Sequence, residues 1–251
     1  MSKRTEANDP EEQAFLNEYR AEDFPRPSVA VDVAALSTHD GHLWALLIKR
    51  QNHPFQDLWA LPGGFVQMAE SLDQAASRLL AEETGLKDVY LEQLYSFGEP
   101  QRDPRTRVIT VAYYALVAWR QLQHLQSQGQ TTLLKLAVEW SGETGGPVHL
   151  LDHEGTRQPI AFDHADILGM AVKRIRGKLD YVPIGFQLLL PRFTLRQLQE
   201  VHETILDRPL NKDSFRRRML ASGLLEATGE REEDVGHRPA ELYRFTRYSA
   251  I

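Results

Sequence analysis

The stretch LPGGFVQMAESLDQAASRLLAEETGL, residues 61–86, constrains this chain more tightly than any other. Two adjacent glycines, Gly63 and Gly64, make a loop in which no Cβ keeps neighbouring groups at a distance. Ser71 follows as an N-cap, and Leu72, Ala75, Ala76, Leu79, Leu80 and Glu83 recur with helical rhythm before Gly85 supplies a stop. A helix is therefore predicted over 71–84. Positions 79, 82 and 83 stand at i, i+3 and i+4, so they share one face of it. The plainest reading of that face is an amphipathic helix whose Glu82 and Glu83 are solvated.

The surrounding chain reads as a sheet. SVAVDVAALS, residues 28–37, and HLWALLIKR, residues 42–50, flank the turn residues His39, Asp40 and Gly41 and form a predicted hairpin. Apolar runs at 89–97, 108–119 and 133–140 read as strands and a helix without βαβ regularity. Loops with Pro100, Pro104 and a glutamine-rich stretch at 121–130 are expected to interrupt them. A helix from about Asp163 to Lys178 closes this part, 181–191 reads as a connector, and a domain boundary is placed near residue 180. Residues 1–24 form an arm or short helix, with Ala14, Phe15 and Tyr19 at helical spacing.

Composition narrows the chemistry. The 251 residues contain no cysteine, which excludes a thiol nucleophile, a cysteine-held zinc or a disulfide framework. The longest uncharged apolar run, 108–119, has 12 residues against the roughly 20 a membrane helix needs. No membrane partner is expected, and a cytoplasmic home fits. The net charge of −6 is uneven: residues 181–251 carry eleven basic and ten acidic side chains, net +1, which leaves −7 for residues 1–180.

That C-terminal segment has its own pattern. In FTLRQLQEVHETILDRPLNKDSFRRRMLASGLL, residues 193–225, Thr194 and Gln197 make a capping box, and Leu195, Leu198, Val201 and Ile205 form an apolar stripe. Asp207 to Leu210 breaks this helix, and a second one begins near Asn211 or Lys212 and ends before Gly223. The pair has helix-turn-helix dimensions. At 100° per residue Phe215 and Met219 face inward and Arg217 and Asp213 outward, with Arg216 and Ser214 on the flanks and Arg218 nearer the core edge. As a recognition helix it would present Lys212, Asp213, Ser214 and Arg217 to bases and Arg216 and Arg218 to phosphates, with Thr194 at the start of the first helix. LLEATGEREEDVGHRPAELYRF then reads as strand, charged turn and strand, a wing that would bring His237 and Arg238 to the DNA backbone or minor groove. A small helical extension with a solvated basic face is the alternative, and the acidic run 230–234 would have to point away from phosphates.

Residues 61–86 resemble the Nudix box: Gly64, Glu70, Arg78, Leu80, Glu82, Glu83, Gly85 and Leu86 match its pattern, and Leu79 stands where the family has Glu. The resemblance implies that the glycine loop approaches a diphosphate while helix carboxylates, here Glu82 and Glu83, hold Mg2+. Leucine at 79 removes a ligand or base from that cluster, so hydrolysis should suffer. Gln67 and Ala69 also depart from many active members. SFGEPQRDPRTRVITVAYYAL, residues 96–116, resembles the segment after the box in ADP-ribose-type Nudix proteins. Arg102 and Arg105, with Asp103 between them, could pair with diphosphate oxygens or form a surface turn at Asp103-Pro104. Phe65 is the aromatic expected to stack on an adenine, together with Gly63 and Gly64 at the phosphates.

Taken together, the chain is similar to the Nudix-related transcriptional regulators of NAD metabolism, the NrtR family, over nearly its whole length. The resemblance implies an α+β protein: an N-terminal Nudix α/β/α sandwich with a mixed sheet, residues 25–180, and a C-terminal winged helix-turn-helix domain, residues 181–251. It also implies a homodimeric repressor bound to double-stranded operator DNA, with ADP-ribose or a related nucleotide as effector. A sensor that destroyed its effector would erase its own signal, which suits Leu79. The competing expectation is a Mg2+-dependent ADP-ribose pyrophosphatase with a C-terminal dimerisation module, and a third is the same architecture with a sugar-related effector.

Overall fold

The computed structural model describes residues 9–126, 131–179, 187–233, 236 and 238–246. Nine strands make one sheet: β1 (Ser28–His39), β2 (His42–Lys49), β3 (Trp59–Ala60), β4 (Gly63–Phe65), β5 (Glu92–Phe97), β6 (Val108–Leu116), β7 (Thr131–Ala137), β8 (His149–Leu151) and β9 (Arg157–Gln158). Their order is β5-β6-β1-β2-β7-β8-β9, with β3 on β2 and β4 on β1. The β1–β6 pair is parallel over nine registered residues and the other ladders are antiparallel, so the sheet is mixed. The expected hairpin is present, with Asp40 and Gly41 both at positive φ, as a two-residue turn between twisted strands requires.

β1 is central and apolar on both faces because both are covered. Val31, Val33 and Ala35 point to α2 (Leu72–Thr84) and α3 (Trp119–Gln126), while Ala34 and Leu36 point to α4 (His164–Lys178). The expected α/β/α sandwich follows from that alternation. α2 begins with a reciprocal capping box between Ser71 and Gln74 and ends at Gly85 in the left-handed region. The glutamine-rich stretch is not wholly a loop: 119–126 is helical, because Trp119, Leu122 and Leu125 recur at intervals of three and dock on the sheet. The arm contains a short helix, α1 (Pro10–Glu18), none of whose residues is buried. Among the described residues no helix is long and apolar enough to cross a membrane.

After residues 180–186, which lie outside the described set and include the start of the expected connector, the second unit begins. It comprises α5 (Leu195–Leu206), α6 (Lys212–Ala221) and a hairpin of β10 (Leu225–Arg231) and β11 (Glu241–Phe245). Phe193 joins the hairpin by paired backbone hydrogen bonds to Tyr243. Phe193, Leu195, Leu198, Phe215 and Tyr243 form a small core of their own. The expected winged helix is thus formed. α5 also faces the first domain: Val201 and Ile205 enter the core under α4, and the buried Arg176 of α4 donates from Nε to the Ile205 carbonyl at 2.8 Å.

Phe215 is the one fully buried side chain of α6. Phe215→Ala is expected to cost about 3 kcal/mol or more and, in urea unfolding followed by circular dichroism, to separate an early winged-helix transition from that of the sheet domain.

Candidate functional site

A cavity of about 80 Å³ opens where β1, the end of β2, the Gly63–Gly64 loop, α2, the 98–107 loop and the start of α4 meet. Gly63, Gly64, Phe65, Arg102, Asp103 and Arg105, all expected there from the sequence, line it together with Asp32, Arg50, Glu83, Phe162 and His164. The glycines are needed sterically. A Cβ on Gly63 would lie 2.4 Å from the Val31 carbonyl oxygen and 2.5 Å from Asp32 Oδ1, and one on Gly64 would meet Leu79 Cδ2 at 3.0 Å.

The polar lining is closely paired. Arg102, with a side chain only 4% exposed, grips Asp163 with Nε at 2.8 Å and Nη2 at 2.6 Å, and reaches Asp32 at 3.3 Å. His164 is buried, and burial pushes its pKa down, so the ring is neutral. Its Nδ1 accepts the Leu61 N–H at 2.9 Å, which leaves the proton on Nε2, 3.5 Å from Asp32 Oδ1. Arg105 forks onto Asp103 at 3.0 and 2.7 Å and lies over the half-exposed Phe65 ring, 5.4 Å from its centroid. Arg102 therefore has a partner from the start of α4, and Arg105 a local one within its own turn.

Glu83 faces the cavity and accepts the Gly63 N–H at 2.8 Å. Burial, with Asp32 nearby, pushes its pKa up to about 7 against the lowering effect of that hydrogen bond. Glu82 turns outward, is mostly exposed and binds Arg78 at 3.0 Å. Arg78 also forks onto Glu70, which accepts the Gln67 N–H as well and is held down to about 2, chiefly by Arg78. This fork ties the loop after the glycines to α2. Leu79 is buried in the apolar layer beneath Gly64. Among the described residues no group of three His, Asp or Glu converges to hold a metal. Six oxygen ligands suit Mg2+, but Asp32 is engaged by Arg102 and Glu82 by Arg78, so Glu83 alone remains as a carboxylate donor. The donor set does not fit a resident Mg2+, contrary to the pairing of Glu82 with Glu83 expected from the sequence.

The second site is α6. Asn211 caps it by accepting the Ser214 N–H at 3.0 Å. Lys212, Asp213, Ser214, Arg216, Arg217 and Arg218 are exposed, and Phe215 and the partly buried Met219 turn in, as expected. Arg216 approaches the Tyr243 hydroxyl of the wing, and Arg218 lies 5.8 Å from the Phe215 ring centroid. Thr194 belongs elsewhere: it is 3% exposed and its hydroxyl accepts the Gln197 N–H, so its role is to cap α5 and its side chain cannot reach a ligand. Arg238 is exposed, and His237 lies outside the described residues. Two carboxylates of the acidic run are used internally, Glu230 by Arg192 and Glu232 by the Ala240 N–H.

Residues 185–245 match the NrtR DNA-binding winged helix domain and residues 26–140 the NUDIX domain. Over 240 residues, 93% of this chain and 88% of the relative, it is 40% identical to the "ADPR responsive transcriptional repressor NtrR" of Acinetobacter baylyi. The chain belongs to the NrtR family. Shewanella oneidensis NrtR in complex with a 27mer DNA superposes with a TM-score of 0.70 at 36% identity, covering 86% of this chain and 93% of that one. The Nudix domain of the same NrtR in complex with ADP ribose superposes at 0.50 and 32% identity, covering 65% of this chain and 98% of that one.

In this chain, sequence reasoning missed Asp32, Arg50, Phe162 and His164. A signal existed for Asp32, a lone carboxylate in the apolar run of β1. The roles of Arg50, Phe162 and His164 come from packing against distant parts of the chain. A carboxyl whose folded pKa is raised is penalised as pH rises past its unfolded value near 4.5 toward about 7. Glu83→Gln is therefore expected to gain stability relative to the parent between pH 5 and pH 8, by up to about 3 kcal/mol, measured by urea denaturation at both pH values.

Proposed function

We propose that this protein is an ADP-ribose-responsive transcriptional repressor of genes for NAD biosynthesis or salvage, with residues 25–180 as the sensor and 181–251 as the DNA-binding unit. The observation that carries this reading is that one helix, α4, touches both sites. A diphosphate-sized approach between glycines and arginines lies at one end of α4, and at the other end Arg176 holds the helix pair that exposes Arg216 and Arg217. α6 enters the major groove with Lys212, Asp213, Ser214 and Arg217 toward base edges and Arg216 and Arg218 toward phosphates. Arg238 approaches the backbone from the wing. The protein acts as a homodimer, whose two recognition helices read half-sites one helical turn apart, and ADP-ribose alters their spacing.

Gly63, Gly64, Phe65 and Arg105 contact the effector, and Arg102 with Asp103 shapes the cavity wall. Glu83 offers a hydrogen bond or a carboxylate to the ligand, and any Mg2+ arrives with the nucleotide. Binding without turnover follows from Leu79 and from the engagement of Glu82 by Arg78. The alternative, an ADP-ribose pyrophosphatase, has the intact Glu70–Arg78 fork in its favour and predicts Mg2+-dependent release of AMP at an ordinary rate.

The test is fluorescence anisotropy on labelled DNA from upstream of this gene and its neighbours, at fixed near-physiological salt. Sequence-preferring binding weakened by ADP-ribose is expected; weak, salt-erased binding indifferent to ADP-ribose would refute the sensor reading. In the same assay Arg217→Ala is expected to lose about 1–3 kcal/mol of preference for operator over random DNA. Retained discrimination would show that another face reads the bases.

A further inference from the structure

The cavity holds three guanidinium groups, and their states differ. Arg102 is spoken for by Asp163 and Asp32, and Arg105 by Asp103. Arg50 forms no ion pair among the described residues: its Nε donates to the Pro54 carbonyl at 2.8 Å and Nη2 to the Asn52 carbonyl at 3.4 Å. Asp103, Glu83 and Asp32 act on it only through space, while burial and the neighbouring Arg105 lower its pKa. Its charge is met by carboxylates only at a distance, in a cavity lined by glycine backbone.

Arg50 rests on an aromatic face. Its guanidinium carbon lies 4.8 Å from the centroid of Phe162, a partly buried ring braced edge-on by Phe55 at 4.8 Å and tilted against His164 at 5.3 Å. Phe162 stands at φ 54°, the left-handed region that a bulky side chain occupies only when its surroundings insist. The next two residues, Asp163 and His164, start α4 and carry the contacts to Arg102, Asp32 and Leu61. Fourteen residues after Phe162 on the same helix path, Arg176 donates to the carbonyl of Ile205 in α5. At about 80 Å³ the cavity is below the roughly 300 Å³ at which small-molecule pockets begin, so a dinucleotide-sized ligand is enclosed only if part of the lining moves.

Resting on the effector reading above, we propose that Arg50 is the anion-recognising residue of this cavity and the trigger of the response: a diphosphate draws its guanidinium off Phe162, and the ring so released lets residues 162–164 relax and shift the start of α4. Arginine forks bind phosphate oxygens more strongly than an aromatic face, so the exchange favours the ligand. Arg102 is a positioning residue in this scheme, since it ties Asp163 to Asp32 and keeps the start of α4 registered to the sheet until Phe162 moves.

Three variants test this, each followed by calorimetry with ADP-ribose and by anisotropy on operator DNA with and without it. Arg50→Met is expected to lose at least about ten-fold in ADP-ribose affinity, and Arg50→Lys, which keeps the charge and stem but not the fork, to lose less. Phe162→Gly, free to hold a positive φ, removes the seat of Arg50, and its readout is the coupling between the two ligands rather than ADP-ribose affinity. In Phe162→Gly the ratio of DNA affinities with and without ADP-ribose should shrink about five-fold or more. A parent protein that does not bind ADP-ribose overturns the effector reading and this inference with it. A parent that binds, alongside an Arg50→Met protein that binds equally well or a Phe162→Gly protein with full coupling, overturns the trigger alone.

Discussion

The structure depends first on the buried hydrogen-bonded cluster of Asp32, Arg102, Asp163 and His164. Its members come from a central strand, the loop before β6 and the first turn of α4, and His164 extends it to the backbone just ahead of the glycine loop. Burying a carboxylate without a partner is prohibitive, and Arg102 between two carboxylates meets that requirement while a neutral His164 adds no further charge. Because Asp32 crowds Gly63, the same cluster dictates a residue without a Cβ at that point. The cavity is what remains open beside it.

α4 conveys this local chemistry to the second domain. Its first turn belongs to the cluster, its middle packs against the sheet through Ile167, Leu168, Ala171 and Val172, and its last turns carry Arg176. That guanidinium is buried, stacks on Trp140 at 4.9 Å and donates only to carbonyls, those of Ile205, Trp140 and Gly142. A cation at the C-terminal end of α5 complements the exposed carbonyls there. The joint between the domains therefore combines apolar packing of Val201 and Ile205 with directional hydrogen bonds from a helix that begins at the cavity.

Much of the fold was legible from local chemistry. The hairpin at Asp40-Gly41, the N-cap at Ser71, the capping box at Thr194, the Gly85 stop and the wing after α6 all follow from propensity and turn rules that act within a few residues. The glutamine-rich segment misled because three apolar residues among polar ones suffice for a helix once a sheet is there to receive them. In the site, the glycines and both arginines of the 102–105 loop were legible. The division of labour among the arginines was not, because it depends on carboxylates from distant parts of the chain.

By itself the sequence determined the two-part architecture, the glycine loop leading into a helix, the loss of a carboxylate at position 79 and the outward set of basic residues on α6, since each is a matter of residue type and short-range spacing. Tertiary structure alone decided that Arg102 is buried between Asp163 and Asp32 while Arg50 bonds only to carbonyls, and that Glu82 pairs with Arg78. The physical reason is that pairing and burial are set by which groups the folded chain brings within about 3 Å of one another, and residues 32, 50, 102 and 162–164 meet only when the sheet and α4 close together.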